Sequence, residues 1–216
     1  TMCTMDEEYL GDFGRYGKGK GQFVWPTSIT HDKEGNLYIS DDYLHRISIF
    51  NSKGDFLDHW GTPGSGDGEI NKPSGLEFDR EDNLYLSDSA NNRIQVFSKD
   101  GKFLAKWGNE GKGEGQFDLP WGVTIDQNGD VWVADWRNDR IQKFTSEGKH
   151  LASFGQSGEG DGQFYRPSGV AVDSNGYIYV ADWGNERVQV LGPDGSFQRN
   201  LRGQATLSKW AHDYLN

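Results

Sequence analysis

The chain has 216 residues, 34% of them hydrophobic and 13% aromatic, with 30 glycines and 8 tryptophans, a mixture that suits short strands joined by tight turns and argues against disorder. Its net charge of −11 opposes both nucleic-acid phosphates and an anionic membrane surface. A single cysteine, Cys3, excludes an internal disulfide and a cysteine-based zinc site, and no stretch is long and apolar enough to cross a bilayer as a helix.

One repeat organises the predicted elements. Pro26, Pro73, Pro120 and Pro167 stand 47 residues apart, as do Asp32, Asp79, Asp126 and Asp173. Asp41, Asp88, Asp135 and Asp182 keep the same step, followed by Arg46, Arg93, Arg140 and Arg187. Aromatic residues keep it too, at Tyr38, Tyr85, Trp132 and Tyr179, and at Trp60, Trp107 and Phe154.

In chain order, residues 1–14 come first. Shifted by one repeat, Thr1-Met2-Cys3 falls on Ser48-Ile49-Phe50, Tyr9-Leu10 on Phe56-Leu57, and Phe13-Gly14 on Trp60-Gly61. This segment therefore reads as the third and outer strands of a preceding unit. Lacking inner partners, residues 1–12 are expected to be disordered or to pair with another molecule, because unpaired strand edges are sticky. Four full units follow, at about 22–61, 69–108, 116–155 and 163–202. In the third, β-rich runs cover 122–126, 130–135, 140–145 and 150–155, separated by turn signals. Four short strands in such a period is the size of one propeller blade, which must stack on neighbours to bury its faces. In the tail, 203–216, Leu207, Trp210, Ala211 and Tyr214 sit at the spacing of one helix face after a capping Ser208.

The segment RPSGVAVDSNGYIYVADWGNERVQVL at 166–191, and KPSGLEFDREDNLYLSDSANNRIQVF at 72–97, resemble the NHL repeat. The resemblance covers residues 1–202 and implies an all-β fold, a β-propeller of four-stranded blades. Such propellers usually have six blades, so these residues are expected to be part of a longer protein, with about two blades' worth of chain elsewhere. Function is not implied, because the family includes enzymes, RNA binders and protein-binding modules. No signal peptide is visible, and the compartment stays open, an extracytoplasmic one included.

Three motifs read as scaffold. The glycine-rich strings, such as GKGEGQF at 111–117, recur in every unit and precede an extended segment, not the helix that a dinucleotide site needs. DQNGD at 126–130 starts like a calcium loop, but the twelfth position holds Arg137, not glutamate. The Asp41/Arg46 type of pair recurs in all four units and reads as a brace for the loop between second and third strands.

Function is expected where equivalent positions differ. Trp25 and Trp121 flank the repeat proline, and Trp136 and Trp183 follow the repeat aspartate. Entry to the first strand and exit from the second lie at one end of a blade, so these four rings should share a rim. Asp42, Tyr43, Lys72, Arg137 and Arg166 occupy the same loops. Such a face suits a protein, peptide or carbohydrate ligand. His31 and Glu77 replace apolar or neutral residues on the innermost strands, and are expected to meet across the first two full blades.

A binding or scaffold module is the leading reading, with no catalytic residue assigned, no cofactor expected, and self-association through unpaired blade edges as a second kind of contact. The alternative is a metal-dependent lyase or hydrolase, as the resemblance to six-bladed enzymes implies. Its divalent ion would sit in the central channel, held in part by other blades, since His31 is the one histidine read as facing that region.

Overall fold

The computed structural model describes residues 2–3 and 9–202. The expected helix at 207–214 lies outside them, as does the rest of 203–216. Four antiparallel four-stranded sheets form the body. Blade 1 runs Pro26–His31, Leu37–Asp41, Arg46–Phe50 and Phe56–Trp60. Blade 2 runs Pro73–Phe78, Asn83–Asp88, Arg93–Ser98 and Phe103–Trp107. Blade 3 runs Pro120–Ile125, Val131–Asp135, Arg140–Phe144 and His150–Phe154, and blade 4 runs Pro167–Val172, Ile178–Asp182, Arg187–Leu191 and Phe197–Leu201. The inner strands neighbour one another in sequence order. Before them, Met2–Cys3 pairs antiparallel with Tyr9–Gly11, as the third and outer strands of a preceding unit would.

The hydrophobic cores lie between blades. Ile47 and Ile49 of blade 1 pack with Leu84, Leu86 and Phe97 of blade 2. Ile94 and Val96 meet Val131, Val133 and Phe144, and Trp132 and Ile141 meet Ile178, Val180 and Leu191. Alternation along each strand explains this, because one face turns to the preceding blade and the other to the next. Outer-strand aromatics extend the contact: Trp60 lies 4.9 Å from Phe97, and Trp107 lies 4.4 Å from Phe144. Phe13 does the same for blade 1, 4.9 Å from Phe50.

Near the axis the blades approach until only glycine fits. A Cβ on Gly75 would lie 2.5 Å from the Trp121 carbonyl oxygen, and one on Gly122 would lie 2.8 Å from Gly169 Cα. A Cβ on Gly169 meets nothing nearer than Ala181 Cβ at 3.6 Å. On the other flank, Ile29 of blade 1 is 56% exposed, beside an apolar hollow of about 360 Å³ lined by Phe13, Phe23, Pro26 and Ile39.

The recurring aspartate and arginine clamp the glycine-rich loops. Arg93 Nε donates to Asp88 Oδ2 at 2.7 Å while its terminal nitrogens donate to the carbonyls of Ser65, Gly66 and Glu69. Gln95 joins by donating to Asp88 and Glu69 and accepting the Gly68 N–H. Blades 3 and 4 repeat the arrangement through Asp135, Arg140 and Gln142, and through Asp182, Arg187 and Gln189. The brace expected in blade 1 is not made. Both Asp41 oxygens are taken by the N–H groups of Val24, Trp25 and Leu44, and Arg46 Nε is buried without a partner.

Candidate functional site

The expected rim exists because the backbone ties entry and exit loops together. Asp42 N–H donates to the Trp25 carbonyl, Arg137 N–H to Asp118, and Gly184 N–H to Tyr165, all at 2.8–3.0 Å. In blades 3 and 4 a short 3-10 turn, Trp136–Asn138 or Trp183–Asn185, follows the buried aspartate and lifts its tryptophan to the end of the blade.

A second tie joins successive blades. His45, Asn92 and Asp139 have left-handed backbone, with φ of 49°, 53° and 53°. Their side chains accept the N–H of Lys72, Leu119 and Arg166, each 27 residues on, at 3.0, 2.8 and 2.7 Å. These acceptors hold the residue before each following proline in its own left-handed conformation, with φ of 53° to 55°. That conformation is costly for a non-glycine residue and persists where neighbours over-determine it.

The rim side chains fall into two patches. On blades 3 and 4, Trp136 lies 6.0 Å from Trp121 and 6.5 Å from Trp183. Arg166 lies over Trp136 at 4.7 Å and over Tyr165 at 5.4 Å. Arg137 lies 5.8 Å from the Trp136 ring and 3.9 Å from an Asp118 carboxylate oxygen. On blades 1 and 2, Asp42 pairs with Lys72 at 3.8 Å, and Lys18 covers the Tyr43 ring at 5.0 Å. Trp25 is 64% exposed and makes no aromatic contact with the other three rim tryptophans. Sequence reasoning missed Tyr165, Asp139 and Lys18. Tyr165 carried a signal, since its equivalents are Val24, Asn71 and Asp118.

The inner-strand pair is less closely joined. His31 is exposed, and its Nδ1 lies 3.0 Å from the carbonyl oxygen of Asp32. Burial pushes the Glu77 carboxyl up, against the opposing pull of the Phe78 N–H and of His31. No direct hydrogen bond or ion pair joins the two side chains. Among the described residues no group of three or more His, Cys, Asp or Glu side chains is placed to hold a metal. At the opposite rim, the Asp126 turn directs its carboxylate to the N–H groups of Asn128 and Asp130. Lys143 lies 3.4 Å from Asp126 and 2.8 Å from Asp130, so an ammonium sits between the two acids.

Four stacked four-stranded blades with their cores between them make this a β-propeller chain. It carries NHL repeats, matched at residues 71–97, 117–144 and 164–191. Among solved structures, a streptogramin B lyase is similar at 19% identity and a TM-score of 0.66, over 92% of this chain and 60% of that one. Virginiamycin B lyase from Staphylococcus aureus is similar at 19% identity and 0.64, over 86% and 58%. A chain of the nidogen/laminin complex is similar at 20% identity and 0.61, over 82% and 65%. These likenesses show the fold, and the chain spans about 60% of the length of the lyases it matches. Among curated proteins the sequence finds no match.

Proposed function

We propose that the chain is a binding module holding a protein, peptide or carbohydrate ligand on its tryptophan-bearing rim, and that further blades complete its ring. The observation that carries the reading is a concentration of large exposed rings at one end of the blades. Trp25 is 64%, Trp183 62%, Tyr43 51% and Tyr165 45% exposed. Aromatic anchors beside charged groups are the usual centres of binding energy. The repeat's other recurring features are consumed in holding the blades, which leaves these positions free for a partner. A chain of the nidogen/laminin complex has a similar fold, so a fold of this kind occurs within a protein–protein complex.

The lyase neighbours favour a second reading, an enzyme whose site opens on the channel. The described blades contribute His31 and Glu77 to it, and any divalent ion would need ligands from other blades. One experiment separates the two. Peptide and oligosaccharide arrays are probed with the chain and with W25A, W183A, H31A and E77Q. Loss of the bound ligand in W183A or W25A, at an unchanged urea midpoint, is expected. Retention there, with loss in H31A or E77Q, moves the site to the channel and overturns the rim reading.

A further inference from the structure

Resting on the rim reading above, we propose that Arg166 is its specificity-determining residue and that it receives a carboxylate from an acidic peptide. Arg166 is half-buried, and its guanidinium lies 4.7 Å from the Trp136 centroid and 5.4 Å from that of Tyr165. Its backbone is fixed by the left-handed φ of 55° and by Asp139, which accepts its N–H. The face of the guanidinium is thus met by aromatic rings. Its edge is not met: among the described residues no carboxylate pairs with it and no acceptor takes its side-chain N–H groups. The other half-buried or buried arginines differ. Arg46, Arg93, Arg140 and Arg187 each donate to loop carbonyls.

In a chain with 33 acidic and 22 basic residues, an arginine with its backbone pinned, its guanidinium beside two rings and no described acid paired with it is a prepared receptor. A planar guanidinium with a free edge matches a carboxylate through two parallel bonds. The surroundings choose the rest of the ligand. Trp121, Trp136 and Trp183 offer ring faces, and among the described residues none of their indole N–H groups finds an acceptor. Apart from the Asp118 carboxylate beside Arg137, the patch therefore presents mainly donors and apolar surface. A peptide with Asp or Glu beside an aromatic or proline side chain supplies the matching acceptors and apolar groups. A neutral sugar would also need acceptors for its hydroxyl protons.

The test titrates a library of short peptides, each with Glu flanking an aromatic residue, against the chain. The same library with Gln for each Glu and an oligogalacturonate run alongside. The Glu library is expected to bind about tenfold tighter or more than the Gln library, with the difference shrinking as salt rises. R166Q should abolish that preference, and R166K, which keeps the charge without the planar fork, should lose most of it, both at a near-unchanged urea midpoint. Should either variant fail to fold, the Glu-against-Gln comparison on the unaltered chain still decides. Equal affinities for the two libraries, lost together in W183A, overturn the role of Arg166 and leave the rim reading standing. Preference for oligogalacturonate overturns the peptide. Absence of binding in every arm overturns the carboxylate receptor, and the array experiment then decides the rim separately.

Discussion

In blade 2, Arg93 is 6% exposed and donates to Asp88 and to three loop carbonyls. In blade 1, Arg46 is 8% exposed and holds the carbonyls of Lys18, Gly19 and Gln22, yet its Nε has no acceptor. The strands superpose in register, so the difference comes from two side chains. Leu44 stands where Asn91, Asn138 and Asn185 stand, and Ser48 where Gln95, Gln142 and Gln189 stand. Without the amides that elsewhere share Oδ2, the Asp41 carboxylate turns wholly to backbone donors. The lesson is that the repeated pair works only inside a four-residue network.

The largest expected effect comes from cutting the complete network. R93A leaves the Asp88 carboxylate buried without its counter-charge, and about 3–5 kcal/mol of stability should be lost. R46A removes no ion pair, and about 1–3 kcal/mol should go. Urea unfolding of both variants checks this, and equal losses would break the comparison.

A smaller contrast distinguishes a joint between blades from an open flank. G122A drives a methyl group into the blade 4 backbone and should cost about 1–3 kcal/mol. G169A meets only Ala181 Cβ at an ordinary van der Waals distance and should be neutral, or stabilising by up to about 1 kcal/mol, because alanine suits a strand better. A clear loss at Gly169 in this chain would mean that something packs there. The smallest effect is a gain. S48Q gives blade 1 the missing amide, with Asp41, the Gln22 carbonyl and the Gly21 N–H as partners, and removes a buried Ser48 hydroxyl that has none. About 1 kcal/mol should be gained in the same unfolding assay. An unchanged midpoint would show that blade 1 has compensated elsewhere.

The repeat made the blades legible because its markers are backbone requirements: proline at strand entry, aspartate at the turn, glycine at the close approach. The core was legible for the same reason, since Trp60 and Trp107 kept step with the period. What the period could not show was how two loops meet. Trp121, Trp136 and Trp183 are brought together across blades 3 and 4, whereas Trp25 stands apart from them. That division follows from the order of the blades along the rim, which places the blade 2 entry loop between Trp25 and the cluster. His31 and Glu77 were identified as ionisable departures from an apolar strand, but strand position alone did not show whether their side chains touch. The unmade Asp41–Arg46 pair was hidden because its cause lies in Leu44 and Ser48, at positions the motif itself does not fix.

The tie from His45, Asn92 and Asp139 to the next blade has a direction. Each acceptor sits in the exit loop of one blade and sets the entry of the blade that follows, never the reverse. A nascent chain leaving the ribosome would therefore carry the instruction for its next unit before that unit is made. Stability in such an array is carried by nearest-neighbour joints. An early unit folded wrongly would deny its successor a starting point, while a late one could be lost without undoing what came before.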